Sequence, residues 1–301
     1  MQSLSRGWSF MQQAWQMAFK DKDLIKPSIY ALIVGFFISI IGIIPLVAAV
    51  FLFGGSSSLV GQIAMVVVGA ILIFTHYVVS YLFSGMTVYL IYGYLSEGDG
   101  RMDRALAKVQ REFWNIVSLA AVSTVVNLFT SQLRRGRNRR TGSNLIGGAI
   151  GSLIETVWTE ASYLILPAMM IEDANLATAI KRATQIAKGN LLLIGVSTVG
   201  VRWITGLISF VLGAIGLILG FGVGFGLSSL FNTSTIALIV GIGLGAMIFF
   251  VFAMVAAIIS SYTMTAYNTC LFLWARDVEK AQLQGNPIKV AAPAPLAAAL
   301  A

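Results

Sequence analysis

Long apolar runs alternate along this chain with short stretches in which charged and apolar positions share a helical period. Residues 3–22 come first. Leu4, Trp8, Met11, Trp15 and Phe19 recur at spacings of three and four, which predicts a helix with one apolar face and aromatic anchors. Gln12, Gln13 and Gln16 lie off that stripe, and Lys20, Lys22 and Lys26 crowd its end. The pattern is that of an interfacial amphipathic helix lying flat on a membrane, with Trp8 and Trp15 as its anchors; a helix packed on the protein's own core is the alternative. The first 23 residues lack the compact apolar core and small-residue cleavage site of a secretory signal.

Six apolar runs follow, at about 28–53, 59–95, 113–133, 143–171, 190–219 and 236–274. Each meets or exceeds the ~20 residues that an α-helix needs to cross a bilayer. Pro27 suits the opening turn of the first run, and 54–58, GGSSS, is an uncharged turn. The third run is the most polar: Asn115, Ser118, Ser123, Thr124 and Asn127 predict a helix buried in a bundle, where they hydrogen-bond to neighbours. Two further amphipathic stretches, MDRALAKVQRE within 97–112 and LATAIKRATQIAK at 176–188, precede the third and fifth runs. Residues 284–301 are Pro/Ala-rich and read as a flexible tail.

The chain also repeats itself. At an offset of 74, Ala105-Leu106-Ala107-Lys108 lies over Ala179-Ile180-Lys181-Arg182, and Val122-Ser123-Thr124-Val125 over Val196-Ser197-Thr198-Val199. The N-terminal helix and first hairpin follow the same plan more loosely. The expected fold is therefore all-α integral membrane, a six-transmembrane-helix bundle made of three repeats of an interfacial amphipathic helix plus a helical hairpin. Repeats of one orientation differ from the inverted repeats common in secondary transporters.

Composition agrees. Of 301 residues 57% are hydrophobic and 11% charged, against about 25% charged in soluble domains. The formal charge of +8 is no nucleic-acid footprint, because the basic residues sit in short loops where they set topology and meet anionic lipid headgroups. With the N-terminus inside, fourteen of the basic residues fall on the cytoplasmic side, and both termini face the cytoplasm. The loop RRGRNRR, 134–140, holds five on the other side and violates the positive-inside rule; a re-entrant pair of spans three and four is the alternative. The single cysteine, Cys270, forms no disulfide within the chain.

Four residues stand out for their cost at membrane depth: Glu155, Glu160, Arg202 and His76. At the α-helical rise, Glu160 and Arg202 lie roughly 16 and 18 Å from the shared ends of spans four and five, and Glu155 nearer 24 Å. The expectation is that Arg202 pairs with Glu160, leaving Glu155 to His76, to a hydroxyl such as Thr124, or to a proton. His76 alone suits one interhelical hydrogen bond better than a metal, since no Cys/His/Asp/Glu cluster accompanies it. No metal or other cofactor is expected. Gly216, Gly220 and Gly224 fall at spacings of four, as do Gly222 and Gly226, which suits either close helix packing in lipid or simply a thinned and bent helix end. Gly241-Ile-Gly243-Leu-Gly245-Ala246 matches a dinucleotide-binding pattern in letters only, with no strand before it.

The opening SRGWSFMQQAWQMAFKDKDLIKPSIYALIVG, the loop EGDGRMDRALAKV and above all Trp158–Glu172, WTEASYLILPAMMIE, resemble an uncharacterised family of bacterial and archaeal integral membrane proteins. The resemblance covers about residues 3–278 and implies a six-span helical plan in a cell membrane, with no activity or ligand attached. RRGRNRR and the Ala/Pro tail depart from it. Three function classes follow. The first is a structural or scaffold component that binds a partner protein or a second copy of itself. The second is a small-solute or ion transporter or channel using Glu155, Glu160 and Arg202. The third is a lipid-acting enzyme, disfavoured because there is no nucleophile elbow, H-E-x-x-H pair or P-loop.

Overall fold

A computed structural model describes residues 2–54, 58–135, 144–189, 191–230, 235–284 and 290–300. Ten α-helices account for nearly all of them: α1 Gln2–Lys20, α2 Lys26–Phe53, α3 Leu59–Glu97, α4 Met102–Arg111, α5 Phe113–Arg135, α6 Asn144–Glu172, α7 Leu176–Gly189, α8 Leu191–Leu230, α9 Thr235–Leu283 and α10 Ala294–Leu300. A 3-10 turn, Lys22–Leu24, joins α1 to α2, and no strand occurs among the described residues. Five helices are long and apolar enough to cross a membrane, six if 150–172 and 176–186, bent by 118° at their break, count as one span. The RRGRNRR loop lies mostly outside the described residues, as does most of GGSSS.

Local chemistry sets the boundaries. Pro27 sits in the first turn of α2, and Gly54 (φ 74°) ends that helix in the left-handed region. The Ser58 hydroxyl caps α3 by accepting from the Gly61 N–H at 2.9 Å. At the far end Gly98 (φ 81°) closes α3 by donating to Tyr94 O at 3.0 Å. Gly100 then passes so close to the 3-10 turn that a Cβ there would meet Asp21 Oδ2 at 2.8 Å and Leu90 O at 3.2 Å. Its N–H donates to that Asp21 carboxylate at 2.7 Å, which also accepts from the Asp23 N–H at 3.0 Å.

The chain divides into two compact units, with the boundary inside α9 after Cys270. The first holds α1, α8, the N-terminal part of α9, and α10. Within it α1 packs on α9 and α8. Phe10 stands edge-on to Tyr267 (5.3 Å, 85°), Trp15 to Tyr262 (5.5 Å, 69°), and the Tyr262 hydroxyl donates to Ala14 O at 3.0 Å. A Cβ on Gly7 would meet Gly200 O at 2.6 Å. The buried face of α1 is thus Gly7, Phe10, Met11, Ala14, Met17 and Ala18, turned by roughly a quarter of a revolution from the expected stripe at about 100° per residue. Trp8 and Phe19 are left exposed on its flank. Helix α10 packs on α1 with Leu296 fully buried, so residues 294–300 are a docked helix where the composition suggested a flexible tail. Leucine between alanines is helix-forming and finds an apolar seat.

The second unit holds α2 to α7 and 271–290. Its long helices are divided lengthwise. In α3 no residue of the most apolar window is buried, whereas Met86, Val88, Leu90 and Ile91 further along are nearly inaccessible. Helix α5 is the mirror case, buried at Ile116, Leu119 and Ala120 and exposed at Val125 and Phe129. Helix α6 is exposed at Leu153 and Val157, then buried from Leu164 to Met170. The packed segments are those beside α4, α7 and the charged helix ends. Asn115 and Asn127 are half-buried and Ser123 and Thr124 buried, while Ser118 is exposed.

Candidate functional site

Two polar clusters occupy the second unit, one inside the apolar helices and one at their charged ends. The inner cluster centres on Ser123 of α5. Its hydroxyl accepts from Trp158 Nε1 at 2.9 Å and is 2.8 Å from the Tyr81 hydroxyl. Tyr81 stacks on Tyr77 one turn away (5.7 Å, 18°), and Asn127 Nδ2 donates to the Tyr77 hydroxyl at 3.4 Å. Glu155 lies within electrostatic reach of that same Tyr77 hydroxyl. Helices α3, α5 and α6 thereby meet at one aromatic and hydroxylic seam. The i, i+4 spacing puts both tyrosines on one face of α3.

His76 is not part of the seam. Its Nε2 lies 3.2 Å from Ser39 Oγ on α2, and that hydroxyl donates to Gly35 O at 2.9 Å. Thr124, weighed as a partner for Glu155, donates instead to Ala120 O in its own helix at 2.8 Å. Glu160 lies on α6 in the second unit, half-buried; Arg202, its expected partner, lies on α8 in the first. Among the described residues no group of three His, Cys, Asp or Glu side chains could hold a metal ion.

The outer cluster is an ionic layer joining α4, α6, α7 and the end of α9. Lys108, almost fully buried, reaches Asp173 and lies 3.5 Å from Glu112. Arg111 closes on the same Asp173 oxygen, and Asn115 Nδ2 donates to Glu112 at 2.8 Å. Burial pushes the Lys108 ammonium below the usual lysine range; Glu112 opposes this and Arg111 adds to it. Asp173 itself stands at φ 55°, a left-handed position that terminates α6 and that aspartate tolerates better than most side chains. Next to it, Glu172 accepts from Arg182 Nε at 3.0 Å, while Arg182 Nη1 reaches Glu279 at 2.5 Å. The Arg276 guanidinium lies 5.8 Å over the ring of Tyr92, within cation–π range.

In the first unit the glycines sort themselves. A Cβ on Gly220 would meet Gly245 O at 2.5 Å, and one on Gly224 would meet Gly241 O at 2.9 Å; Gly216 faces Phe252. Helices α8 and α9 therefore cross in backbone contact along Gly216, Gly220 and Gly224. Gly222 and Gly226, of the same spacing, meet nothing within 4 Å. The groove along this crossing, about 380 Å³, is lined by Phe221, Phe225 and Phe249 over a glycine floor. Trp15, expected as an interfacial anchor, donates from Nε1 to Thr263 Oγ1 at 3.2 Å and so is tied to α9.

The sequence reading missed Tyr77, Tyr81, Asp173, Arg182 and Glu279. The tyrosine spacing was a usable signal, and so was the alignment of Lys108 with Arg182 at an offset of 74, since both are ion-paired. The carboxylates they meet carry no local mark. No family model matches the chain, and no curated protein matches it.

Proposed function

We propose that this chain is a six-span membrane protein whose role is structural or partner-binding rather than transport. The observation that carries the reading is that, among the described residues, no buried side-chain nitrogen or oxygen lacks a hydrogen-bond partner. The polar groups within the apolar helices are spent on one another, Tyr81 and Trp158 on Ser123, Asn127 on Tyr77, His76 on Ser39. A permeation path instead presents polar groups to water or solute. Exposed apolar surface on α2, α3, α5 and α8 would be intolerable in water but is what lipid requires.

In this reading α1, α4 and α7 are the amphipathic helices of three repeats, each preceding a hairpin, α2–α3, α5–α6 and α8–α9. Ala105 and Ala179 support the register: both are fully buried, each three residues before an ion-paired cation. The ionic layer and both termini lie on the cytoplasmic side, where basic residues meet anionic headgroups, and the binding partner is another membrane protein or a second copy. The membership in a six-span family suggested by Trp158–Glu172 is part of the same proposal.

The test is reconstitution into phosphatidylethanolamine/phosphatidylglycerol vesicles carrying a potassium gradient and a pH-sensitive dye. Ion flux no faster than in protein-free vesicles is the expected result. Flux that the chain accelerates and Glu155→Gln abolishes would replace this reading with transport.

A further inference from the structure

Helix α7 is held in an unusual way. It leaves α6 through Asp173, Ala174 and Asn175, with the helices bent by 118° across the break. The corner is self-contained: Asp173 supplies the left-handed turn, and the Asn175 carboxamide oxygen caps α7 by accepting from the Thr178 N–H at 2.9 Å. A helix that brings its own cap keeps its first turn wherever it is placed.

Its apolar grip is small. Of the described side chains of α7, Ala179, Ala183 and Ile186 are buried, Leu176 and Ile180 are half-buried, and Thr178, Lys181, Thr184 and Gln185 are exposed. Burial energy scales with apolar area, so alanines contribute little. The polar hold is Arg182. One edge of its guanidinium, Nε and Nη2, faces Glu172 at 3.0 and 3.3 Å, and Nη1 reaches Glu279 on α9 at 2.5 Å. The planar guanidinium offers donors in two directions at once, which an ammonium on a flexible stem does not match. On the other side of the corner, Lys108 and Arg111 of α4 hold Asp173, the residue next to Glu172.

We propose that α7 is an electrostatically latched arm: Arg182, forked between Glu172 and Glu279, holds it against the end of α9, and residues 173–175 are the hinge on which it swings when the fork opens. The clamp of α4 on Asp173 keeps the end of α6 fixed while α7 moves.

The test measures distance between spin labels on Gln185→Cys in α7 and Leu283→Cys at the end of α9, both exposed, with the buried Cys270 changed to Ala. The otherwise wild-type chain in lipid nanodiscs should give one narrow distance. Arg182→Gln should add a second, displaced population. Arg182→Lys should give less of it, because charge is kept and the fork is lost. Arg104→Gln, which removes an exposed pair with Glu97 away from the corner, should leave the narrow distance alone. A single unchanged distance in Arg182→Gln overturns the proposal, since packing alone would then hold α7. If circular dichroism shows that Arg182→Gln does not fold, the wild-type chain is measured as sodium chloride rises from about 0.1 M to about 1 M, which shortens the Debye length from about 10 Å to about 3 Å. Growth of the displaced population supports the latch, and an unchanged distance overturns it.

Discussion

Gly220 on α8 and Gly245 on α9 face each other so closely that a methyl group on Gly220 would lie 2.5 Å from the Gly245 carbonyl oxygen. The next contact along the crossing, Gly224 with Gly241, repeats the arrangement. Such an approach brings many backbone atoms into van der Waals contact, the term that drives helix association where no hydrophobic gain exists. Gly220→Val should therefore push the helices apart and cost about 1–3 kcal/mol, the usual range for overpacking. Gly222→Ala, two residues away with nothing within 4 Å, should be neutral or gain up to about 1 kcal/mol from helix propensity. Thermal melts in detergent read both, and equal losses at the two positions would refute the crossing.

Ser123 is the node of the aromatic seam. Removing its hydroxyl leaves Trp158 Nε1 and the Tyr81 hydroxyl without their shared partner. Ser123→Ala should cost about 1–3 kcal/mol, the penalty for a buried polar group left unmade. Ser118→Ala on the exposed side of α5, whose hydroxyl only reaches Trp114 O in its own helix, should change the melting temperature little.

Phe10 and Phe19 lie on the same amphipathic helix, yet Phe10 is fully buried and Phe19 is 73% exposed. Phe10→Ala should cost about 3–5 kcal/mol as a core truncation. Phe19→Ala should leave the melting temperature of the detergent-solubilised chain near that of wild type. A larger loss at Phe19 than at Phe10 would mean that α1 buries the face its sequence stripe suggests.

For topology, Ser58→Cys and Asp99→Cys sit at opposite ends of α3, each at a helix boundary. An impermeant thiol reagent added to intact cells should label the first and not the second. Reversed labelling would invert the orientation argued from the basic residues, and labelling of both would mean that α3 does not span.

The presence of the long helices was legible in the chain itself, because a run of some twenty apolar residues has few other ways to satisfy its backbone than by forming a helix, although α8 and α9 run on to Leu230 and Leu283, past the expected ends at 219 and 274. The amphipathic helices α4 and α7 were legible too, through their period and through the offset of 74 that aligns Lys108 with Arg182. Rotation and pairing were not. Which side of α1 is buried depended on Tyr262, Thr263 and Tyr267, about 250 residues away, and the seat they form outweighed the larger tryptophan stripe. Two glycine ladders of identical spacing run along α8, and only the azimuth of α9 selected Gly216, Gly220 and Gly224 over Gly222 and Gly226. Nor does any local pattern mark Asp173 as the seat of Lys108 or Glu279 as the far end of the Arg182 fork. Period and hydropathy are properties of neighbours in the chain, whereas an ion pair needs two helices at one depth and one rotation, and that is decided only when they pack.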